Sequence, residues 1–581
     1  MRRPRCPAPL LPLAALLLLL AMHCAGGCLA AAPALNHRCN FDEAMRKSGP
    51  LPTAVVREVP RRGEGAAQAY TAAAATAGGG KSNEGWAPIR IVVSTEDLTD
   101  SRKHCNATGV DRTDFSRGLL RCQEHHVLTA EKKKLYESFL LPRAVKLHTD
   151  RLLVKPLAGA LVVPSKLPFP CYMFGVPADH KSTGVRNADM VLYAAAGPMN
   201  DGAAAVGMMC AVLEDGRPSV GVVNYNPAQM VGTELAVRVL AHEIAHALGF
   251  GFDNLKNRSL VSYKHGLRGK SSVMMVAGSN VKAKARAHFN CDSLEGMELE
   301  DNAVWSAGSH WKRRSAMEEL MAPTVSDGRY TALTMAAFAD MGYYGVNWGM
   351  AEPMAWGNGT GCGFLEKKCT ELDNSSTAYP HMLCSPSDNT TLRCTSERHH
   401  VGRCTGLNFD GNGDRCPYVS LFFVGPADGG SGRSRCSDAS VTSLPGSLTG
   451  QGSWCLDAES LRVKQRPEGS ESEGVSGVCA QVRCGEGTVQ VKHLGNDAWH
   501  ACPEGGEIEV AASEHFEGGG RIKCPKFAEV CTVAADGSGF PFDGEAEGLQ
   551  RANAGPPHTF SGGVLPWARN AYAYITGGDG S

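Results

Sequence analysis

Cysteines constrain the fold of this chain more than any other feature of its sequence. It has 22 cysteines. Three lie within the first 30 residues and Cys39 follows, and setting these four aside leaves 18 between Cys105 and Cys531. An even set, mostly without the pair spacing of metal sites, predicts disulfides formed in an oxidising compartment. Thirteen of the 18 lie at or beyond Cys362, which predicts a disulfide-rich C-terminal region.

The N-terminus agrees with export. Arg5 and two earlier arginines precede an apolar run, Leu10–Met22, and small residues follow at Ala30–Ala32. This is the layout of a cleaved secretory signal, whereas a membrane anchor needs about 18 or more apolar residues. We therefore expect residues 1–32 to be a signal peptide and the protein to be extracellular or at the cell surface. No lipid-anchor signal is visible at the C-terminal end.

Composition excludes some partners and indicates surface loops. The formal net charge is −1, so we expect no nucleic-acid partner. The basic stretches Lys282–Arg286 and Lys312–Arg314 are predicted to be solvated surface. Five N-x-S/T sequences are typical of glycosylated loops of secreted proteins: Asn106, Asn257, Asn358, Asn374 and Asn389.

Hydrophobic periodicity predicts a mixed α+β module followed by a mainly β region. Short β-branched runs bounded by turn formers predict strands, and apolar residues at helical spacing predict helices. Strands are expected at 89–93, 161–163, 190–194 and 219–224, and helices at 130–147, 233–248, 316–320 and 331–340. Beyond residue 357 the chain is rich in Gly, Ser and Pro with little helical periodicity, which favours β or irregular structure.

The predicted helix at 233–248 carries ionisable groups on an apolar background. It reads TELAVRVLAHEIAHAL, with Thr233 as N-cap and Gly249 at a favoured C-terminal position. His242 and His246 are four residues apart and project from one face. Two imidazoles so placed can hold one Zn²⁺ at about 2.0–2.1 Å. Glu243 can accept a proton from water without binding the metal, so the H-E-x-x-H motif indicates a zinc peptidase.

The third ligand is not adjacent to this motif. Thermolysin-like enzymes use a downstream glutamate, but no Asp or Glu occurs between Asp253 and Asp292. The metzincin pattern H-E-x-x-H-x-x-G-x-x-H matches until Phe252 replaces the last histidine. Later candidates are His265, His288 and His310.

A methionine favours the last candidate. Metzincins have a methionine beneath the zinc-binding histidines, shortly after the last ligand. Met321 follows His310 by eleven residues, in a Leu-Met-Ala-Pro turn. A soft, apolar thioether can line such a site without binding the ion.

Several longer motifs resemble the leishmanolysin family, surface metallopeptidases with an insertion before the third histidine. They are HEIAHALGF at 242–250, GSHWKRRSAMEELMAP at 308–323, YTALTMAAFADMGYY at 330–344, IRIVVSTEDLTD at 89–100, RGKSSVMM at 268–275 and AEPMAWG at 351–357. The similarity extends from about residue 37 into the 520s. Two departures are a shortened segment between Cys404 and Cys436 and the missing lipid-anchor signal.

The resemblance implies roles for individual residues. His242, His246 and His310 would bind one Zn²⁺ per chain, Glu243 would be the catalytic acid/base, and Met321 would be the Met-turn residue. The family is thought to be held latent by a cysteine of the pro-segment. The HRC motif at 37–39 makes Cys39 the candidate, because a thiolate is a strong zinc ligand. The alternative is a disulfide, but the 18 other cysteines already form an even set.

The implied fold is a metzincin-like catalytic module with an inserted mixed central domain and a disulfide-rich, mainly β C-terminal domain. The expected division is a signal peptide (1–32), a pro-segment with the cysteine switch (33–84), an N-terminal catalytic domain (85–250), a central domain with the third ligand and Met-turn (251–357), a Cys-rich domain (358–560) and a flexible tail (561–581).

The predicted function is a zinc-dependent endopeptidase, made as a latent secreted zymogen, that hydrolyses internal peptide bonds. Its expected partners are protein or peptide substrates. The resemblance also implies a role in cell adhesion, with host or extracellular-matrix surface proteins as partners. The alternative is a surface adhesion protein that acts through its Cys-rich domain, with protease activity secondary or lost. An inactive structural relative is disfavoured because every catalytic position is filled.

Overall fold

The computed structural model describes Cys39, residues 41–57 and residues 85–531. The last range is described except for 115–117, 200–202, 303–306, 324–326, 373–378, 411–413, 422, 425–431, 440, 465–471 and 486. The predicted signal peptide, the predicted tail and Asn374 lie outside the described residues.

The described helices lie mainly between residues 130 and 370. In chain order they are α1 (Phe41–Arg46), α2 (Ala130–Leu135), α3 (Leu141–Thr149), α4 (Ala178–Ser182), α5 (Glu234–Ala247), α6 (Phe252–Asn257), α7 (Ser279–Phe289), α8 (Ala332–Asp340), α9 (Gly361–Glu366) and α10 (Phe527–Val530). A π-helical stretch, Tyr136–Leu140, joins α2 to α3. The helices predicted at 130–147, 233–248 and 331–340 are therefore confirmed.

Strands occur throughout the described chain. In chain order they are β1 (Val55–Arg57), β2 (Ala87–Pro88), β3 (Ile91–Ser94), β4 (Asp111–Thr113), β5 (Leu119–Arg121), β6 (Leu152–Val154), β7 (Ala160–Val162), β8 (Met190–Ala195), β9 (Ala205–Val212), β10 (Pro218–Tyr225), β11 (Val261–Lys264), β12 (Val273–Val276), β13 (Met297–Glu298), β14 (Gly345–Val346), β15 (Arg393–Cys394), β16 (Val401–Asp410), β17 (Asp414–Leu421), β18 (Phe423–Val424), β19 (Gly432–Arg433), β20 (Ser453–Val463), β21 (Glu473–Gly485), β22 (Thr488–Lys492), β23 (His500–Ala501), β24 (Glu507–Val510) and β25 (Gly520–Lys523).

A four-stranded sheet supports helix α5. Its order is β3-β8-β10-β9, with β3, β8 and β10 parallel and β9 antiparallel to β10. Strands β8 and β10 are buried along their whole length, as apolar strands covered on both faces are. Helix α5 packs against β9 and β10. Gly207 in β9 permits this approach, because a Cβ there would lie 2.0 Å from the carbonyl oxygen of Glu243.

The segment before residue 58 is attached to the same part of the protein. Strand β1 pairs antiparallel with β7. Just before it, Ala54 N–H donates to the carbonyl of Val212, the last residue of β9, at 2.8 Å. Cys39 and helix α1 are thereby held near the sheet that supports α5.

The C-terminal part is β-rich and has its own core. A six-stranded sheet has the order β23-β22-β21-β20-β25-β24, and a separate cluster of buried residues includes Trp454 and Phe516. Helix, sheet and a β-rich C-terminal part together confirm the coarse fold prediction. The closer likeness to a metzincin module stays a prediction.

Nine disulfides use all 18 cysteines from Cys105 to Cys531, as predicted. The pairs are 105–122, 171–210, 291–362, 369–416, 384–404, 394–455, 436–479, 484–531 and 502–524. The pair Cys291–Cys362 joins the end of α7 to α9.

Two local predictions are wrong. Residues 316–320 form turns, not a helix, because the backbone at Glu318 and Leu320 hydrogen-bonds to Arg329 instead of to the preceding turn. The basic stretch 312–314 is not a solvated surface, since Lys312 and Arg314 are at most 1% exposed. Lys312 Nζ lies 2.8 Å from a carboxylate oxygen of Glu300. Arg314 Nε lies 2.5 Å from Asp414, and these pairs compensate the burial of both cations.

Candidate metal centre

Helix α5 carries two of the three predicted ligands. Thr233 caps it by accepting a backbone N–H three residues on, at 3.3 Å. Gly249, with φ of 109°, lets the chain leave the helix in a conformation that favours glycine. Every residue from Ala236 to Ala247 is buried. His242 and His246 therefore project from one face of a core helix.

Backbone carbonyls orient both imidazoles. Nδ1 of His242 lies 2.6 Å from the carbonyl oxygen of Leu320, and Nδ1 of His246 lies 2.6 Å from that of Phe250. A carbonyl oxygen only accepts, so both Nδ1 atoms carry the proton and both Nε2 atoms keep a lone pair. Such bonds fix ring orientation and tautomer in metal-binding histidines.

His310 completes a group of three. Its Nε2 lies 3.3 Å from Nε2 of His246, which lies 3.1 Å from Nε2 of His242. All three side chains are fully buried. Glu300 N–H donates to the His310 carbonyl at 2.8 Å, which holds the loop that carries the third ring.

The other candidate histidines lie elsewhere. His265 is exposed, and its Nδ1–H donates to the carbonyl of Ser271 at 3.0 Å. Nε2–H of His288 donates to the carbonyl of Trp356 at 2.9 Å. Of the three histidines that the sequence left open, the structure brings only His310 to the pair on α5.

The arrangement fits a Zn²⁺ ion. Tetrahedral ligands at about 2.0–2.1 Å have nitrogens about 3.3–3.4 Å apart, which is close to the observed 3.1 and 3.3 Å. Lone pairs converging in a buried space repel one another unless a cation lies between them. The donor set therefore has the chemistry and the spacing of a zinc site.

Glu243 lies beside this cluster. Its Oε2 accepts the backbone N–H of Gly207 at 2.7 Å. Burial raises the pKa of Glu243 to about 7, although the neighbouring His242 and the Gly207 hydrogen bond lower it. A carboxyl group with a pKa near neutrality can both accept and return a proton.

Cys39 lies against the same cluster. Its Sγ is 3.4 Å from Nε2 of His246, and its side chain is fully buried. Within the described part of the chain it is the one cysteine without a disulfide. Burial and then the nearby Glu243 carboxylate raise the pKa of the thiol well above its ordinary value. A thiolate there would need a cation beside it.

The sequence did not predict two further contacts that the residues after Cys39 make near the histidines. The ring of Phe41 stacks on that of His246, with centroids 4.0 Å apart and planes 6° apart. Ser309 donates its hydroxyl to Asp42 at 2.5 Å and accepts the backbone N–H of Phe252 at 2.9 Å. No short motif marks these residues, because their partners come from distant parts of the chain.

Met321 is fully buried in the main core. Its carbonyl accepts the backbone N–H of Trp311, next to His310, at 2.9 Å. The preceding carbonyl, of Leu320, holds His242. The predicted Met-turn therefore bonds to His242 and to the residue that follows His310.

Four of the predicted glycosylation sites lie within the described residues and are accessible. Asn106, Asn257, Asn358 and Asn389 are all exposed, as modification by a large sugar requires. Their glycosylation stays a prediction.

Comparison with known proteins identifies the family. A family model described as leishmanolysin matches residues 37–537. Leishmanolysin of Leishmania major is 36% identical over 490 residues, which are 80% of this chain and 80% of that protein. A leishmanolysin homolog of Crithidia fasciculata is 34% identical over 479 residues, 78% of this chain and 72% of the homolog. A leishmanolysin-like peptidase of Drosophila melanogaster is 25% identical over 441 residues, 60% of this chain and 64% of that protein.

These matches define the class of protein, a metalloendopeptidase. The chain belongs to the leishmanolysin family, whose members depend on zinc. The predicted family and enzyme class are confirmed.

Proposed function

We propose that the chain hydrolyses internal peptide bonds of proteins, with His242, His246 and His310 holding one Zn²⁺ per chain. The observation that supports this best is the convergence of three buried Nε2 atoms at 3.1 and 3.3 Å. Carbonyl groups on the Nδ1 side of His242 and His246 leave these lone pairs for a cation.

We assign the acid/base role to Glu243. A bound Zn²⁺ would polarise the scissile carbonyl and lower the pKa of water. Glu243 would take a proton from the attacking water and later give it to the leaving amine. Its raised pKa, about 7, suits both transfers. The hydrogen bond from Gly207 holds one carboxylate oxygen of Glu243 beside the cluster at 2.7 Å.

We also propose that residues 33–84 keep the enzyme latent. Cys39 would take the fourth ligand position and exclude water, which is supported by its Sγ lying 3.4 Å from His246. Phe41 covers His246 by ring stacking. Asp42 accepts the Ser309 hydroxyl, and its other oxygen lies 3.7 Å from Nδ1 of His310. These contacts would hold the thiol in place and block substrate.

Secretion and the domain organisation are part of the same proposal. The protein would pass through the secretory pathway, lose residues 1–32 and consist of a metzincin-like module (85–250), a central domain (251–357), a Cys-rich domain (358–560) and a tail (561–581). Nine disulfides support an oxidising compartment. The separate C-terminal core, whose first member is Leu392, supports a distinct Cys-rich domain.

The test measures zinc content and peptide cleavage before and after removal of residues up to about 84. We expect about one zinc per chain in both forms and cleavage only in the shorter one. His310→Ala should lose zinc and activity, whereas His265→Ala, at an exposed histidine, should change neither. Glu243→Gln should keep zinc and lose cleavage. Full zinc binding by His310→Ala would contradict the proposed ligand set.

The adhesion role stays a prediction that rests on family resemblance. Glu243→Gln separates it from proteolysis. If cells still attach to protein that no longer cleaves peptides, adhesion does not depend on the catalytic site, and host or matrix proteins can be sought as partners of residues 358–560.

A further inference from the structure

The turn that contains Leu320 and Met321 bonds to His242 and to the residue that follows His310. The carbonyl of Leu320 accepts Nδ1–H of His242 at 2.6 Å. The carbonyl of Met321 accepts the backbone N–H of Trp311, the residue after His310, at 2.9 Å. The positions of a ligand on α5 and of a ligand on a distant loop therefore both depend on this turn.

The carboxylate of Glu319 holds the turn. The side chain is fully buried. One oxygen accepts the backbone N–H of Met321 at 2.7 Å. The other accepts the hydroxyl of Thr331 at 2.9 Å and its N–H at 3.3 Å. The turn is thus attached to the start of α8 by a side chain that belongs to the turn itself.

A second path joins Glu319 to the third ligand. The Thr334 hydroxyl is another hydrogen-bond partner of Glu319. The same hydroxyl accepts the indole N–H of Trp311 at 2.9 Å. Trp311 is fully buried and directly follows His310. Glu319 therefore restrains the segment of His310 and Trp311 in two ways, through the indole of Trp311 and through the backbone N–H of Trp311.

We propose that Glu319 is a positioning residue for the zinc centre, holding the turn that orients His242 and the segment of His310. This inference rests on the proposed function, because it takes the three histidines as the zinc ligands. The side-chain hydrogen bonds of Glu319 go to Met321, Thr331 and Thr334. Its effect passes through Leu320 and Met321.

Glutamine at position 319 is the informative change. The two carboxylate oxygens face two backbone donors, Met321 N–H and Thr331 N–H. An amide has one oxygen, so in either orientation its NH₂ group opposes one of these N–H groups. Thr331 N–H also donates to the Arg329 carbonyl at 3.0 Å. In either orientation of the amide, the turn loses one of the two bonds that Glu319 makes to backbone N–H groups, and we expect the carbonyls of Leu320 and Met321 to shift as a result. Loss of such supporting contacts costs about 10–100-fold in metal affinity.

The neighbouring residue provides a matched control. Glu318 is also buried, at 1% exposure. Its carboxylate accepts the backbone N–H groups of Ala355 and Trp356 at 2.9 and 3.3 Å, and the hydroxyl of Ser396. Glu318→Gln therefore places the same amide in an equally buried position, and its partners do not include residues 320–322 or the imidazoles.

The experiment uses the full chain as wild type, Glu319→Gln and Glu318→Gln. It measures zinc affinity by competition with a chelator, the absorption spectrum of the cobalt-substituted protein, and the thermal unfolding midpoint. We expect Glu319→Gln to bind zinc about 10–100-fold more weakly and to change the cobalt spectrum. Glu318→Gln should stay within about threefold of wild type, because it shares no partner with the ligands.

Equal zinc affinity in the two variants would overturn the proposal, whether both are weakened or neither. If Glu319→Gln does not fold, Thr331→Val replaces it. Thr331→Val removes the hydroxyl that donates to Glu319, and it should weaken zinc binding. Thr331→Ser keeps the hydroxyl and should have wild-type zinc affinity. Equal zinc affinity of the Thr331→Val and Thr331→Ser variants would also overturn the proposal. If the wild type binds no zinc at the histidines, the proposed function fails instead, so the two failures are distinguishable.

Discussion

Glu352 connects helix α5 to the segment that follows α8, and replacing it should destabilise the protein strongly. Its carboxylate, 2% exposed, lies 2.7 and 2.9 Å from the two terminal nitrogens of Arg238 on α5. Arg151 adds a contact at 3.0 Å, and the Tyr330 N–H donates at 2.9 Å. We expect Glu352→Gln to lower the free energy of unfolding by about 3–5 kcal/mol.

The magnitude follows from what glutamine retains. It keeps the shape and one acceptor oxygen but places an NH₂ group against a guanidinium. Losing the three charge-assisted bonds separately would cost about 1.5–3 kcal/mol each, but the remaining oxygen preserves part of this. Two buried cations also lose their carboxylate, and breaking a buried ion pair costs about 3–5 kcal/mol. The arginines hold the pKa of Glu352 at about 2, so the carboxylate is charged in neutral solution.

The assay is denaturant unfolding at pH 7 with the disulfides intact, together with thermal unfolding. At about 2 °C per kcal/mol, the midpoint should fall by about 6–10 °C. Asp100→Asn is the control, because the carboxylate of Asp100 pairs with Arg102, whose side chain is 87% exposed. This change should leave the midpoint unaltered.

A loss below about 1 kcal/mol for Glu352→Gln, the range of exposed ion pairs, would contradict this prediction. It would mean that water or neighbouring groups compensate both guanidinium groups without the carboxylate. The ion pairs of Glu352 with Arg238 and Arg151 would then not be important for the position of α5.

Three further predictions concern pH, latency and metal. Burial lowers the pKa of His148 to about 3, so below pH 6.5 the unfolded chain takes up a proton that the folded protein does not. His148 should therefore contribute a fall of about 1.4 kcal/mol per pH unit to the free energy of unfolding of the metal-free protein between about pH 6.5 and 3, and His148→Gln should make the measured slope shallower by that amount. Asp42→Asn should speed the reaction of the Cys39 thiol with a thiol reagent. Glu43→Gln, at an exposed residue of the same helix, should not change this rate. If the Cys39 thiol reacts equally fast in both variants, the contact between Asp42 and Ser309 does not protect it. Removing zinc with a chelator should lower the unfolding midpoint, because an ion bound only by the folded state stabilises it; an unchanged midpoint would contradict metal binding.

Much of the local structure near the site was predictable. Helix α5 was recognised with its Thr233 cap and its Gly249 terminus, because helical periodicity and capping depend on residues a few positions apart. The even cysteine set predicted complete disulfide pairing for a similar reason, since a count needs no knowledge of the fold. The pairing pattern itself was not predictable, because it depends on which chain segments meet.

Other features were predicted wrongly because their partners are distant. The stretch 316–320 has helix-forming residues, yet Glu319 accepts hydrogen bonds from Met321 and Thr331 in a turn. Lys312 and Arg314 resemble a basic surface, yet Glu300 and Asp414 pair with them in the interior. A one-dimensional pattern contains no information on such pairs.

The amino-acid sequence predicted two histidines on one helical face and the adjacent glutamate, and the family resemblance predicted His310 as the third ligand. The folded structure was needed to show how these rings approach one another, which carbonyls orient them, and that Phe41 and Asp42 contact them. The difference arises from how far apart in the chain the interacting residues lie. The geometry of a helix is set by residues a few positions apart. The distance between His246 and His310 depends on how the elements that separate them in the sequence fold and pack.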